Sequence, residues 1–386
     1  MKLFYMLYFG AAGLYFPYVG LYYHAIHLNG AQIGLAASLA PLGGVVLQPL
    51  WGLLSDRYGW RKRLLAISLL AASLAAPLVT MAHSFAALLL LIALLAVSLS
   101  PAIPLADATT LDWLSARGGS YGGVRIYGSL GFLLSSLAIG SFYRGRGILA
   151  LFVVYGALLF AAFLTTLAAP RQAAVVAEAR GGGIMEVLAD RGVVIFLLLA
   201  VVGYGTFAAY NTFFPLYLSS LGAGSNIVGL SAGLASLSEL PVMAVAGIVV
   251  ARVGVKPLLL AGLTAAALRW LAYGVLRDYH LVLVWQLLHG LSFAGLYVGG
   301  VTFMDRSVPE RLRSTGQTIF SGATFGLGTV LGSTLFGLLF DRLHVGGMFL
   351  VAGAIALGAI VGVVFLVPNI GAERRPARRT FTSPSG

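Results

Sequence analysis

The chain contains no cysteine, which excludes a disulfide framework, a thiolate metal site and a thiol nucleophile. Charge is nearly as scarce: Asp, Glu, Lys and Arg make up 9% of the 386 residues, against 59% hydrophobic residues. A soluble domain of this size could not cover its surface with so little charge, so that class is excluded too. No nucleotide-binding fingerprint, metal-ligand cluster or nucleophile elbow is present, which argues against an enzyme and against a bound cofactor or metal. The charge that remains sums to +12. It does not point to nucleic acid, because most arginines lie in short loops between apolar runs, as the positive-inside rule requires.

What is present is a series of apolar runs. A bilayer core of about 30 Å needs about 20 apolar helical residues. Twelve runs meet that need, near 4–24, 31–54, 63–82, 85–115, 122–143, 147–168, 193–220, 226–251, 256–276, 279–304, 312–341 and 346–368. The first continues through Tyr15-Phe16-Pro17-Tyr18 to Tyr23 with no small-residue cleavage site, so it reads as a span and not a signal peptide. With the N-terminus placed in the cytoplasm, 18 of the 24 Lys and Arg fall in inner loops and tails and 4 in outer loops. Both termini are therefore expected inside, in a multi-pass protein of the cell's inner (plasma) membrane.

The expected fold is all-α, with twelve transmembrane helices in two pseudo-symmetric six-helix bundles. Residues 1–168 would form the first bundle and 193–368 the second, with a cytoplasmic linker at 169–192 and a tail at 369–386. The linker holds Pro170 and Gly181-Gly182-Gly183, a composition that suits a flexible connection. The bundles echo one another: Tyr15-Phe16-Pro17 with Ile33-Gly34-Leu35 resembles Phe213-Phe214-Pro215 with Val228-Gly229-Leu230. Repeats of this kind place a solute site at their interface, near the membrane midplane.

The most specific motif is Gly52-x-x-x-Asp56-Arg57-x-Gly59-x-Arg61-Lys62, between spans 2 and 3. Its degenerate echo runs from Gly247 to Lys256. The glycines permit a tight turn, and Asp56 can pair with an arginine or cap a neighbouring helix. Gly52, Asp56, Arg57, Gly59, Arg61 and Lys62 are expected to form a cytoplasmic gate that holds the inner side shut. The plainer reading is that these bases only obey the orientation rule.

Here the chain resembles the major facilitator superfamily over essentially its whole length. Within it, Gln48-Pro49-Leu50-Trp51-Gly52-Leu53-Leu54-Ser55-Asp56 is similar to the lactose permease pattern. Pro104-Leu105-Ala106-Asp107-Ala108, Gly123-Val124-Arg125-Ile126-Tyr127-Gly128-Ser129, Ser238-Glu239-Leu240-Pro241, Leu268-Arg269-Trp270 and Gln286-Leu287-Leu288-His289-Gly290 look more like the phenylpropionate permeases. The resemblance implies solute uptake driven by the proton gradient, with the proton as coupling ion.

A charge at bilayer depth is costly and therefore a functional candidate. Asp107 and Arg125 lie about nine residues either side of the turn between spans 4 and 5, so they should reach similar depth. Arg125 offers a planar fork of donors and Asp107 accepts hydroxyl protons; a static ion pair is the alternative. In the lactose permease branch the matching pair are principal sugar ligands. In the second half, Glu239, Arg269 and His289 converge at one depth on consecutive spans. A carboxylate withdrawn from water holds a proton more readily, and an approaching arginine drives it off. Glu239 is the expected proton carrier, with Arg269 as its modulator, His289 in the relay or in substrate binding, and Asp107 contributing. One departure weakens any direct transfer from lactose permease: Ser292 stands where that protein has an acid, and Gln286 where it has a lysine.

Tyr8, Tyr15, Tyr18 and Tyr22 form one stripe on span 1, and Tyr204, Phe207 and Asn211 a similar stripe on span 7. Aromatic faces with hydroxyl tips suit sugar rings, nucleosides or aromatic acids, although such residues also pack between helices. Tyr15, Tyr18, Asn211, Gln286 and His289 join Asp107 and Arg125 as candidate substrate ligands. The reading favours proton-coupled symport of a small sugar-like or nucleoside-like solute by a monomer in the lipid bilayer. Uptake of an aromatic carboxylate is the first alternative and proton-driven efflux the second. Against efflux, span 5 carries Gly128, Gly131 and Gly140 without the Gly-Pro ending usual in drug antiporters.

Overall fold

The computed structural model describes residues 1–117, 120–143, 145–168 and 183–368, all helices and connecting turns. The first six spans are α1 (Lys2–Tyr15) with α2 (Val19–Ala25), α3 (Gly30–Tyr58), α4 (Arg61–Leu78), α5 (Phe85–Leu99) with α6 (Ala102–Arg117), α7 (Tyr121–Ile139) and α8 (Leu151–Leu167). After a short helix α9 (Ile184–Ala189) come α10 (Arg191–Ser220), α11 (Ser225–Val253), α12 (Val255–Val275) and α13 (Tyr279–Gln286) with α14 (His289–Ser307). α15 (Arg313–Ser321) and α16 (Thr329–Leu366) complete the chain. This is the twelve-helix fold expected, with irregularities that hydropathy did not register. Span 1 breaks at 16–18, where Pro17 has no N–H to donate, and span 4 breaks at Ser100-Pro101. Span 10 breaks at Leu287-Leu288, and Gly322–Gly328 forms a π-helix within span 11. Spans 11 and 12 run together as α16 across a kink at His344 (φ 55°). Large apolar side chains such as Leu90, Val284 and Phe365 remain exposed on the outer surface of the bundle, where lipid covers them. Of the linker, 184–189 is helical and Glu186 pairs with Arg311; residues 169–182 and the tail from 369 lie outside the described residues.

The repeat seen in the sequence recurs in the packing. α1 lies along α7, and α10 along α16, as equivalent pairs. Between the halves, α3 crosses α16 and α11 crosses α7. Each crossing is made at a glycine: a Cβ on Gly34 would lie 2.2 Å from the Ser333 carbonyl oxygen, and one on Gly229 would lie 2.0 Å from that of Ser136. Only hydrogen fits at such distances. Tyr18 seals the second crossing by donating to the Ser136 carbonyl at 2.7 Å. At the first, Asp341 reaches across from α16 to the amino end of α3, accepting from the Gly30 and Ala31 N–H groups at 2.6 and 2.9 Å. Those amides have no helical acceptor of their own.

All these contacts lie at the end away from the basic turns. At the basic end, the described polar contacts of the repeated turn stay within one half. Gly59 (φ 63°) and Gly254 (φ 91°) both leave their helices, α3 and α11, at positive φ, which glycine adopts freely. Lys62 then caps α8 through the Leu167 carbonyl at 2.9 Å, and Lys256 caps α16 through Val364 and Val367 at 2.6 and 3.0 Å. Arg61 pairs with Asp112 at 2.7 Å, also inside the first half, and Arg57 lies over the ring of Tyr58. These contacts tie Arg61 and Lys62 to helices of their own half. The backbone of α3 passes through Gly52 and Asp56, but their side-chain surroundings lie outside the described residues.

The seal is testable because the chain is cysteine-free. With a single cysteine introduced at Asn211, Gly34→Val and Asp341→Ala should each speed labelling by an impermeant maleimide applied from the side away from the termini. Loss of the cap alone costs about 1 kcal/mol. Labelling as slow as in the parent would contradict the assignment of these contacts as the seal.

Candidate functional site

Between the halves lies a cavity of about 390 Å3. Tyr15, Phe16, Phe132, Tyr210 and Phe214 present aromatic faces to it, while Asn211, Thr212, Ser231, Ser236, Glu239 and His289 supply polar groups. An apolar chamber with a few convergent polar groups is the ordinary form of a small-molecule site. Glu239 is the one acid among its described lining residues, and no lysine or arginine joins it.

The acid is placed by a helix crossing. A Cβ on Gly290 would lie 1.8 Å from the Ser238 carbonyl oxygen, so α14 and α11 touch there backbone to backbone. Just past the irregular turn at Leu287-Leu288, the Gly290 N–H donates to Ser238 Oγ at 2.8 Å. The next residue on one helix and the preceding one on the other are therefore neighbours, and Glu239 Oε1 lies 3.2 Å from His289 Nε2. Glu239 is partly open to the cavity while His289 is buried. Phe293 stacks on the imidazole, with Tyr210 beside it at 5.1 Å between centroids. Its second nitrogen, Nδ1, has no hydrogen-bond partner.

Arg269 stands one layer behind this wall and is fully buried. Its guanidinium donates to Ser292 Oγ at 2.8 Å and Gln286 Oε1 at 2.9 Å. The rings of Trp270, Tyr210 and Tyr273 surround it at 4.7, 4.9 and 5.6 Å, close enough for cation–π attraction. Gln286 in turn accepts from the Tyr273 hydroxyl at 2.7 Å and donates to Tyr210 and to the Ser231 carbonyl. Both Tyr210 and Ser231 line the cavity, so the arginine reaches it through Gln286 and through the Tyr210 ring.

The comparisons with known proteins agree with this architecture. The model of the MFS_1 like family matches residues 1–351. This chain belongs to that family, within the major facilitator superfamily. It is 31% identical to the maltose permease of Geobacillus stearothermophilus over 374 residues, covering 96% of this chain and 94% of that protein. In fold it is similar to the crystal structure of the nucleoside transporter NupG, with a TM-score of 0.85, 18% identity and 94% and 97% of the two chains covered. The D-xylose-proton symporter is also similar, with a TM-score of 0.70, 15% identity and coverage of 95% and 97%. It is a multi-pass membrane transporter.

Of the residues singled out in the sequence of this transporter, Tyr15, Asn211, Glu239 and His289 line the cavity together. Gln286 and Arg269 form the layer behind it. The expected partnership of Arg269 with Glu239 is replaced: among the described residues, the acid's contact is with His289, and Arg269 has neutral acceptors only. Tyr18 belongs to the seal and not to the lining. Asp107 and Arg125 do not line the cavity either, nor do they form an ion pair. Asp107 accepts from the Tyr5 hydroxyl at 2.6 Å, and Arg125 lies over the Phe9 ring at 3.7 Å and the Tyr5 ring at 5.8 Å. Both charges are thus occupied by aromatic residues of α1. Sequence reasoning missed Tyr210, Thr212, Ser231 and Ser236. A helical stripe running back from Glu239 through Ser236, Ala235, Ala232 and Val228, all in the lining, would have found the α11 wall.

Removal of the guanidinium leaves Gln286 and Ser292 with lost partners in a dry interior, at about 1–3 kcal/mol for each group left unsatisfied. Arg269→Ala should therefore lower the unfolding temperature of the detergent-purified protein well beyond a surface substitution. Arg269→Lys, a point charge without the planar fork, should recover only part of the loss. An unfolding temperature unchanged in both variants would contradict the network.

Proposed function

We propose that this transporter is a proton-coupled symporter that takes up a neutral, hydroxyl-rich solute, sugar-like or nucleoside-like. The observation that carries the reading is the Glu239–His289 contact at 3.2 Å on the wall of the cavity between the halves. A carboxylate and an imidazole in contact can share one proton, and Glu239 also faces the solute chamber. Proton and solute therefore occupy one site. Protonation removes the charge of Glu239 and gives it an O–H donor for a solute hydroxyl, so a bound proton favours a neutral solute and the solute favours the proton.

The lining favours a neutral solute. An aromatic carboxylate would meet Glu239 with no lysine or arginine among the described lining residues to balance it. Maltose is the substrate named for the relative at 31% identity, which supports the sugar-like reading. Tyr15, Phe132 and Phe214 supply apolar faces for a ring, and Asn211, Thr212 and Ser236 supply hydrogen bonds to its hydroxyls. The protein acts as a monomer, since one chain lines the whole chamber.

In the mechanism, bundles 1–168 and 193–368 rock against one another about the cavity, with 169–192 as the cytoplasmic connection. Both termini face the cytoplasm, as the distribution of Lys and Arg requires. The contacts at Gly34, Gly229 and Asp341 then close the outer side, and the described conformation is inward-facing. Asp107 and Arg125 enter the solute site only if α1 shifts and Tyr5 releases the carboxylate. The motif around Asp56 closes the inner side in the opposite conformation.

Glu239→Gln separates coupling from binding. In proteoliposomes carrying an imposed proton gradient, the variant should lose accumulation of labelled maltose and retain maltose counterflow. Accumulation equal to that of the parent would remove Glu239 as the proton carrier.

A further inference from the structure

Many buried serines and threonines in this protein donate within their own helix, while seven buried polar atoms among the described residues have no partner, on Tyr23, Trp51, Ser55, Tyr143, Tyr204, His289 and Ser333. Ser38, Ser68, Ser136, Ser231, Thr206 and Thr324 each donate to a carbonyl three or four residues back. Ser333 does not, and its Oγ is buried without any hydrogen bond. The contrast with Ser136 is direct. The two serines hold equivalent places in the two glycine crossings, yet only Ser333 lines the cavity. On the opposite bundle, the Tyr23 hydroxyl is likewise buried and unpartnered, and Tyr23 also lines the cavity. The Tyr15 hydroxyl is its neighbour, but the two lack hydrogen-bonding geometry. With His289 Nδ1, three orphaned polar groups surround one chamber, contributed by both halves.

An unsatisfied buried polar atom is destabilising, so its retention at a site calls for an occupant. We infer that Tyr23 and Ser333 form a second hydrogen-bonding wall of the chamber, on the side of the glycine seal. They would take hydroxyls of a polyhydroxylated neutral ligand whose other end meets Glu239 and His289. The inference rests on the proposed uptake of a neutral solute and adds its extent: a ligand that reaches from one bundle to the other. Tyr23 belongs to the first half and Ser333 to the second, so such a ligand bridges the halves at the closed seal. A solute small enough to contact Glu239 alone leaves this wall unused.

The test uses the purified full-length protein and its variants Tyr23→Phe and Ser333→Ala, with maltose, glucose, uridine and adenosine as probes. Each variant deletes an orphaned hydroxyl and little else. The empty protein should therefore unfold at the same temperature as the parent or higher, while the dissociation constant for maltose rises about tenfold, the equivalent of one lost hydrogen bond. Glucose, which reaches one side only, should bind the parent more weakly and lose less in the variants. A lower unfolding temperature of the empty variants would mean that the hydroxyls already have partners, and would overturn the inference. Unchanged maltose affinity in both variants would overturn it as well. If affinity is unchanged in those two but collapses in Glu239→Gln, the second wall fails while the solute site survives. If no probe binds the parent, both readings fall.

Discussion

The architecture depends on places where helices from opposite halves touch without any side chain between them, two of them related by the internal repeat. At Gly34 against the Ser333 carbonyl, and at Gly229 against the Ser136 carbonyl, a methyl group would already overlap its neighbour. Lipid provides no hydrophobic force to press helices together, so association relies on close packing and on small residues at the contact. The two crossings are related by the internal repeat, since Gly34 and Gly229 lie in matching tripeptides 195 positions apart. They fix where the halves meet.

The same device builds the chemical site. Gly290 brings α14 onto the backbone of α11, and the residues flanking that contact, Glu239 and His289, become partners as a result. Arg269 is held apart from the acid by the Gln286 layer. Its nearest oxygen on α14 is that of Ser292, where lactose permease carries an acid by the sequence resemblance, so this arginine has no carboxylate of its own. A cation in an aromatic surround with two neutral acceptors is adequately held while it stays dry. The chamber in front holds Glu239, the one acid among its described lining residues.

Much of this was legible in the sequence, for definite reasons. Twelve apolar runs and the spacing of basic turns follow from bilayer thickness and charge, which act residue by residue, and they gave the fold and its repeat. The depth of Glu239 and His289 could be counted from the basic turn. Pairing could not be counted, because it depends on which face each helix turns inward. Span 10 changes direction at Leu287-Leu288 with no proline to announce it. Asp107 and Arg125 were expected at a common depth; in the structure the Tyr5 hydroxyl engages the acid and the Phe9 ring the arginine. The turn around Lys62 was read as a gate or as obeying the orientation rule, and the stretch ending at Lys256 as its echo. In the structure both lysines also cap the last helix of their own half, a contact between residues about 105 positions apart that no local pattern reveals.

The central claim is that one chamber couples a proton to a neutral solute. It is tested most directly by adding maltose to lightly buffered proteoliposomes with no imposed gradient and recording external pH. The account predicts a transient alkalinisation that accompanies maltose entry and is abolished by a protonophore. Maltose entry with no accompanying movement of protons would contradict it.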